Sequence, residues 1–308
     1  MIPLVITMPL DPVLHIGPLP LHWYGLGYAV AFLVGIQLIT PFLEGRGVSR
    51  KTISNLVWWN IGVGLIGARL YFVIQQPDLS VFAKSPIRII AVWEGGMAYF
   101  GAVIACFATV VVLAYVRKLS VWLLLDAGAI FATLPQAIGR LGNIVNGDIL
   151  GPQSNLPWAV RYTSPHTFAP QIGVAYQPAG AYELLVALAL FALVMFVLSR
   201  RPPDGTAIIV YLAAYATSQF LLFFVRATEP VVLFGLKQAQ LTSLAVLFIG
   251  VPVLILLRLR FPRVFRPEQT VADPSDDGGP GEEVDASTPK PEGQQRRRAA
   301  AGLAKEGS

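Results

Sequence analysis

The chain has 308 residues, 55% of them hydrophobic and only 13% charged, with a formal net charge of +5. A soluble domain carries roughly a quarter charged residues, so this composition, with a mean hydropathy of +0.61, excludes an ordinary water-soluble enzyme. The basic residues stand between apolar runs instead of forming a basic face with interleaved aromatics, which speaks for membrane topology and against a nucleic-acid partner.

In chain order, the opening MIPLVITMPLDPVLHIGPLPLHWYG has neither a positive start nor a small-residue cleavage site, so it is expected to be retained. Apolar runs at about 21–43, 56–75, 97–115, 120–138, 180–199, 206–225 and 239–258 predict seven spanning helices. Long continuous runs are satisfied in lipid only as helices, so the expected fold is an all-α, polytopic membrane bundle. Arg46, Arg50, Lys51, Arg117, Lys118, Arg200, Arg201, Arg258, Arg260, Arg263 and Arg266 fall on one side. The other side holds Lys84, Arg88, Arg140, Arg161, Arg226 and Lys237. The richer side is expected to be cytoplasmic, which puts the N-terminus and the 139–179 segment outside and the C-terminus inside. Cys106 stands alone inside an apolar run and excludes a disulfide framework. Residues 1–266 read as the membrane domain. The Pro-, Gly- and acid-rich stretch 267–308 reads as a disordered cytoplasmic tail whose Arg296, Arg297 and Arg298 are a solvated charge run or a contact for anionic lipid.

Ionisable groups inside or bordering a bilayer cost a few kcal/mol unless paired or watered. Arg69, Asp126 and Glu183 lie in or beside spans, and His22, Trp23, Tyr24, Glu94, Arg140, Asn143, Asn146 and Asp148 lie at the predicted outer mouth. Arg69 and Asp126 read either as a structural pair between helices or as functional groups, and Trp23 and Trp58 as an aromatic belt. The densest polar stretch, QAIGRLGNIVNGDILG at 136–151, follows directly on a predicted span. Its glycines permit close backbone approach, and Arg140, Asn143, Asn146 and Asp148 set guanidinium and amide donors beside a carboxylate. Guanidinium grips phosphate bidentately, although a structural re-entrant loop fits the same composition.

The stretch GRLGNIVNGDILG resembles the G-R-x-G-N-x-x-N-x-E/D-x-x-G signature of the prolipoprotein diacylglyceryl transferase family. The likeness runs from about 18 to 260, through PLPLHWYGLGY, IGARLYF, WEGGMAYFGA, PWAVRY and YQPAGAYELL. It implies a multi-pass enzyme of the bacterial inner membrane with its site open to the outer leaflet. Such an enzyme moves the diacylglyceryl group of phosphatidylglycerol to the lipobox cysteine thiol of a prolipoprotein, leaving a thioether and releasing glycerol phosphate. No cofactor or metal is implied. The resemblance places Arg140, Asn143, Asp148 and Tyr24 in catalysis, and Arg140, Asn146, Gly142, Gly151, Tyr182 and Glu183 in substrate binding. Asp148 or Glu183 would accept the thiol proton or orient Arg140.

The chain also departs from the pattern. Phe100, beside Tyr99, stands where histidine or tyrosine is usual, and Gln177 replaces a histidine. The sixth-helix Y-x-x-x-R-x-x-x-E-x-x-R becomes Tyr215, Gln219, Phe223 and Arg226, so Arg226 or Arg69 is the expected stand-in for the missing arginine. Two readings follow: a working transferase, and a catalytically impaired relative that binds lipid or lipoprotein.

Overall fold

The computed structural model describes residues 5–17, 19–91, 95–227 and 229–262. Glu94 and the expected tail 267–308 lie outside the described residues. The helices are α1 (Trp23–Glu44), α2 (Arg50–Ile74), the short α3 (Ser80–Lys84), α4 (Tyr99–Val116), α5 (Val121–Asn146), α6 (Ala179–Ser199) and α7 (Thr206–Leu222). Two more, α8 (Gln238–Ala245) and α9 (Val251–Arg260), run together through a π-helical turn at Val246–Gly250.

Every apolar run of the sequence contains a helix, and among the described residues five helices are long and apolar enough to cross a membrane: α1, α2, α5, α6 and the continuous Gln238–Arg260. The other two, Phe100–Val116 and Thr206–Leu222, are shorter. A 17-residue helix such as α7 rises about 26 Å, less than a hydrocarbon core of about 30 Å. Gly205, at φ 85°, stops α7 at one end, and the chain turns at Phe223 at the other. Nor is the molecule wholly α. Strand β1 (Ile6–Met8) pairs in parallel with β4 (Val160–Tyr162), which pairs antiparallel with β5 (Ala175–Tyr176). Hairpins join β2 (Val13–Ile16) to β3 (Leu19–His22) and β6 (Val231–Leu233) to β7 (Leu236–Lys237).

Serine caps start two of the long helices. Ser49 accepts from the Thr52 amide and Ser120 from the Leu123 amide, each satisfying one of the orphan donors of a first turn. Helix α5 is the axis of the bundle, with 56% of its most apolar window buried against 17–28% for the other four spans. It packs against α1, α4, α6 and α7, whereas α2 packs chiefly on α4. Small residues let the α2–α4 backbones close: Gly64 faces the Cys106 sulfur and Gly67 faces Ala105 and the Gly101 carbonyl.

At one end of the bundle Leu43, Val48, Ile53, Leu119 and Leu123 form an apolar core. Around it Arg46 pairs with Asp204 at 2.6 Å, and Arg258 donates to the Pro203 and Asp204 carbonyls. At the other end the small sheet buries Leu150, Val160, Tyr162 and Tyr176, and the Tyr162 hydroxyl donates to the Ile144 carbonyl at 2.7 Å. That bond fixes the sheet on the last turn of α5. Burial pushes the Tyr162 phenol up to about 12, so the hydroxyl stays a donor.

Candidate functional site

The polar stretch expected to follow a span is instead the end of the span itself. Helix α5 continues to Asn146, although Pro135 and three glycines would weaken it in water. In a packed apolar surround such residues are tolerated. Spacings of three therefore set Arg140, Asn143 and Asn146 along one helix face. Gly142 lets the start of α1 cross that face: a Cβ there would lie 2.9 Å from the Tyr24 Cα. Gly147 ends the helix at φ 74°, with Thr167 and Tyr162 too close for any side chain. The chain then folds Asp148 back, and its two oxygens accept from Asn143 Nδ2 at 3.2 and 2.9 Å. Asn143 Oδ1 in turn accepts from Arg140 Nη1 at 3.4 Å.

Arg140 also joins helix α6. Its Nη2 lies 2.7 Å from Glu183 Oε2, and the other Glu183 oxygen faces Arg226 Nη1 at 3.5 Å. The Glu183 side chain is 1% exposed, with the two arginines at 18% and 14%, so one buried carboxylate holds two guanidinium groups. Arg226 reaches Glu229 at 2.9 Å and stacks over the Phe223 ring at 4.6 Å. The Lys237 ammonium donates to the Phe223 carbonyl at 2.8 Å and to the Arg226 carbonyl, tying β7 to the end of α7. The Nε atoms of Arg140 and Arg226 are buried without a partner among the described residues, and such donors suit phosphate oxygens.

Beyond Asp148 lies a cavity of about 340 Å³ lined by His22, Tyr24, Asn146, Asp148 and Phe168. The Tyr24 hydroxyl donates to that of Tyr28 at 3.0 Å. Asn146 is 6% exposed and its carboxamide oxygen is buried without a donor among the described residues. Its backbone carbonyl accepts from the Phe168 amide at 2.9 Å and the Thr167 hydroxyl at 3.1 Å, seating the loop that follows β4 over α5. Burial pushes the Asp148 carboxyl up, and donation from Asn143 partly opposes it.

Most sequence candidates meet here: Tyr24, Arg140, Asn143, Asn146, Asp148, Glu183 and Arg226. Gly151 packs closely on the segment after α7, where a Cβ would lie 2.8 Å from the Val225 carbonyl. The Tyr182 hydroxyl accepts from Trp158 Nε1 at 2.7 Å. Gln219 is buried in α7, and Tyr215 accepts from Gln136 at 3.4 Å. Phe100 is 49% exposed.

Arg69 and Asp126 do not pair. The Arg69 guanidinium donates to the carbonyls of Arg88, Ile89, Gly95 and Gly96, so it clamps the segment between α2 and α4. Asp126 accepts from the Gly205 and Ile208 amides at 2.7 and 2.9 Å, capping the N-terminus of α7. Each satisfies backbone groups locally because the two lie near opposite ends of the bundle.

Three participants escaped the sequence reading. Glu229 follows Arg226 at the i,i+3 spacing of a helical ion pair, a signal that was present. The Phe168 amide and the Lys237 ammonium reach the site through bonds to main-chain carbonyls of other segments, which left no local signal.

Residues 12–256 match the family model described as prolipoprotein diacylglyceryl transferase. The chain is 33% identical over 262 residues to a phosphatidylglycerol–prolipoprotein diacylglyceryl transferase of Trichormus variabilis, covering 82% of this chain and 92% of that protein. Proteins of the same name from Paraburkholderia xenovorans and Listeria welshimeri are 31% and 30% identical, covering 80% and 82% of this chain and 92% of each relative.

Proposed function

Because the chain belongs to the prolipoprotein diacylglyceryl transferase family, we propose that it transfers the diacylglyceryl group of phosphatidylglycerol to the lipobox cysteine thiol of prolipoproteins. It acts in the bacterial inner membrane. The five long helices with the two shorter apolar ones make seven passes, with the N-terminus outside and the site open to the outer leaflet. The gathering of Arg46 and Arg258 at the end opposite Asn146 supports that orientation.

The observation that carries the mechanism is the single buried Glu183 holding Arg140 and Arg226 together. In this chain Arg226 supplies the second guanidinium that the arginine missing at Gln219 would have given, and Arg69 does not, its donors being taken by carbonyls. The cysteine thiol gives its proton to Asp148, since only the thiolate attacks well. Sulfur bonds to the glyceryl carbon as that carbon's bond to the phosphate oxygen breaks, and the electron pair leaves on glycerol phosphate. Arg140 and Arg226 meet the charge that grows there. Glu183 is committed to both arginines, whereas Asp148 is held by Asn143 and lines the open cavity. This division supports Asp148 as the proton acceptor and Glu183 as the positioning residue.

The test is thioether formation, read by mass spectrometry, on a lipobox peptide with purified protein in phosphatidylglycerol nanodiscs. The wild type is expected to modify the peptide, and Arg140→Lys to lose about 100-fold or more of the rate while staying folded, because lysine lacks the bidentate fork. Full activity in Arg140→Lys rules out the clamp.

A further inference from the structure

We infer that the cavity walled by His22, Tyr24, Asn146, Asp148 and Phe168 is the receiving pocket for the cysteine-bearing peptide, with the Asn146 carboxamide and Phe168 as its recognition groups. The inference rests on the transferase reading above and names which substrate occupies which side of the site.

The polar groups form one connected chain of contacts. Glu183 holds Arg140, Arg140 donates to Asn143, Asn143 donates to Asp148, and Asp148 opens on the cavity. In the order of contacts the guanidinium groups come first and the cavity last. A displacement at carbon brings the nucleophile in from the side opposite the leaving oxygen. With the phosphate drawn to the arginines, the sulfur arrives from the Asp148 side.

The cavity lining agrees. It carries one carboxylate and neither arginine nor lysine, so a phosphate placed there would meet a like charge. A neutral guest with hydrogens to donate meets acceptors instead. A peptide segment offers a thiol proton to Asp148 and main-chain N–H groups to the walls. The Asn146 oxygen, buried without a donor among the described residues, gains from such an N–H, because a buried acceptor left without its hydrogen bond is destabilising.

Phe168 is 62% exposed, yet its backbone is fixed by the Asn146 carbonyl, and its loop is tied to the N-terminal segment by the pair of His166 with Asp11 at 2.7 Å. A large apolar side chain held open on a seated loop is a preorganised contact for an apolar peptide. The about 340 Å³ of the cavity falls at the lower end of ordinary ligand pockets.

The test uses full-length protein in phosphatidylglycerol nanodiscs and a lipobox peptide with serine in place of its cysteine, so that binding is read without transfer. A photo-crosslinking benzoylphenylalanine placed at position 168 is expected to capture this peptide. With the cysteine peptide as substrate, Phe168→Ala is expected to raise the peptide KM about tenfold and leave the lipid KM unchanged. Capture of lipid in place of peptide, or a raised lipid KM alone, overturns the assignment and gives the cavity to the headgroup. Absence of any capture by a protein whose wild type transfers normally overturns it equally. Capture by a protein that forms no thioether sustains the pocket while refuting the transferase reading.

Discussion

Asp148 and Glu183 are two carboxylates in one polar chain whose neighbours divide their work. Glu183 is enclosed between two guanidinium groups, and Asp148 faces a cavity with one amide donor beside it. Such a difference is how a site assigns separate roles to like groups. Asp148 accepts a proton only when ionised, and burial raises its carboxyl above the ordinary 3.8. The acidic limb of a pH profile of thioether formation is therefore expected at higher pH than a free aspartate would give. Asp148→Asn should abolish transfer at every pH without unfolding the protein. A profile whose acidic limb lies at the free-aspartate value argues against this base. Glu183→Gln keeps the shape and removes the charge, leaving Arg140 and Arg226 side by side. Removing one partner from a buried charge set costs about 3–5 kcal/mol, so the midpoint of thermal denaturation in detergent should fall substantially. An unchanged midpoint means that the arginines do not depend on it.

At the scale of the element, α5 carries most of the site because its C-terminal end is both helix and polar face. Its glycines fall into two kinds. A Cβ at Gly142 meets the Tyr24 backbone at 2.9 Å, whereas one at Gly128 meets nothing within 4 Å. Gly142→Ala is thus expected to push α1 from α5 and cost about 1–3 kcal/mol, with loss of transfer. Gly128→Ala should be neutral or mildly stabilising. Paired thermal melts and transfer rates check both, and equal effects would disprove the close approach. The apolar runs made the helices legible in the sequence, and Arg140, Asn143, Asn146 and Asp148 stood out as polar groups at a membrane boundary. Their helical setting did not stand out, because Pro135 and the glycines mimic a loop signal that tertiary packing overrides. The small sheet was illegible because strands of two or three residues carry no usable alternation. The partners of Arg69 were not legible because they are backbone carbonyls, which a sequence does not display.

For the whole molecule, the two ends of the bundle differ in chemistry: arginines binding carbonyls and Asp204 at one, the carboxylate-lined cavity at the other. A reporter fused beyond Phe261 is expected to be active only in the cytoplasm, and one inserted near Ser154 only outside. The reverse pattern would invert the molecule and the proposed access from the outer leaflet. The N-terminal strand has a consequence in time. β1 lies beside β4 in parallel, Ile6 opposite Val160, and Asp11 meets His166, 155 positions further on. A ribosome releases the first partner long before the second, and closing so long a loop is a slow, late step. On the proposed topology the beginning of the chain therefore waits outside the membrane while four passes, α1, α2, α4 and α5, are inserted, and the roof over the cavity is laid only when the fifth, α6, is about to enter. Until then a lipid already in the bilayer meets an unfinished site, so synthesis itself sets an order in which the enzyme is anchored first and competent last.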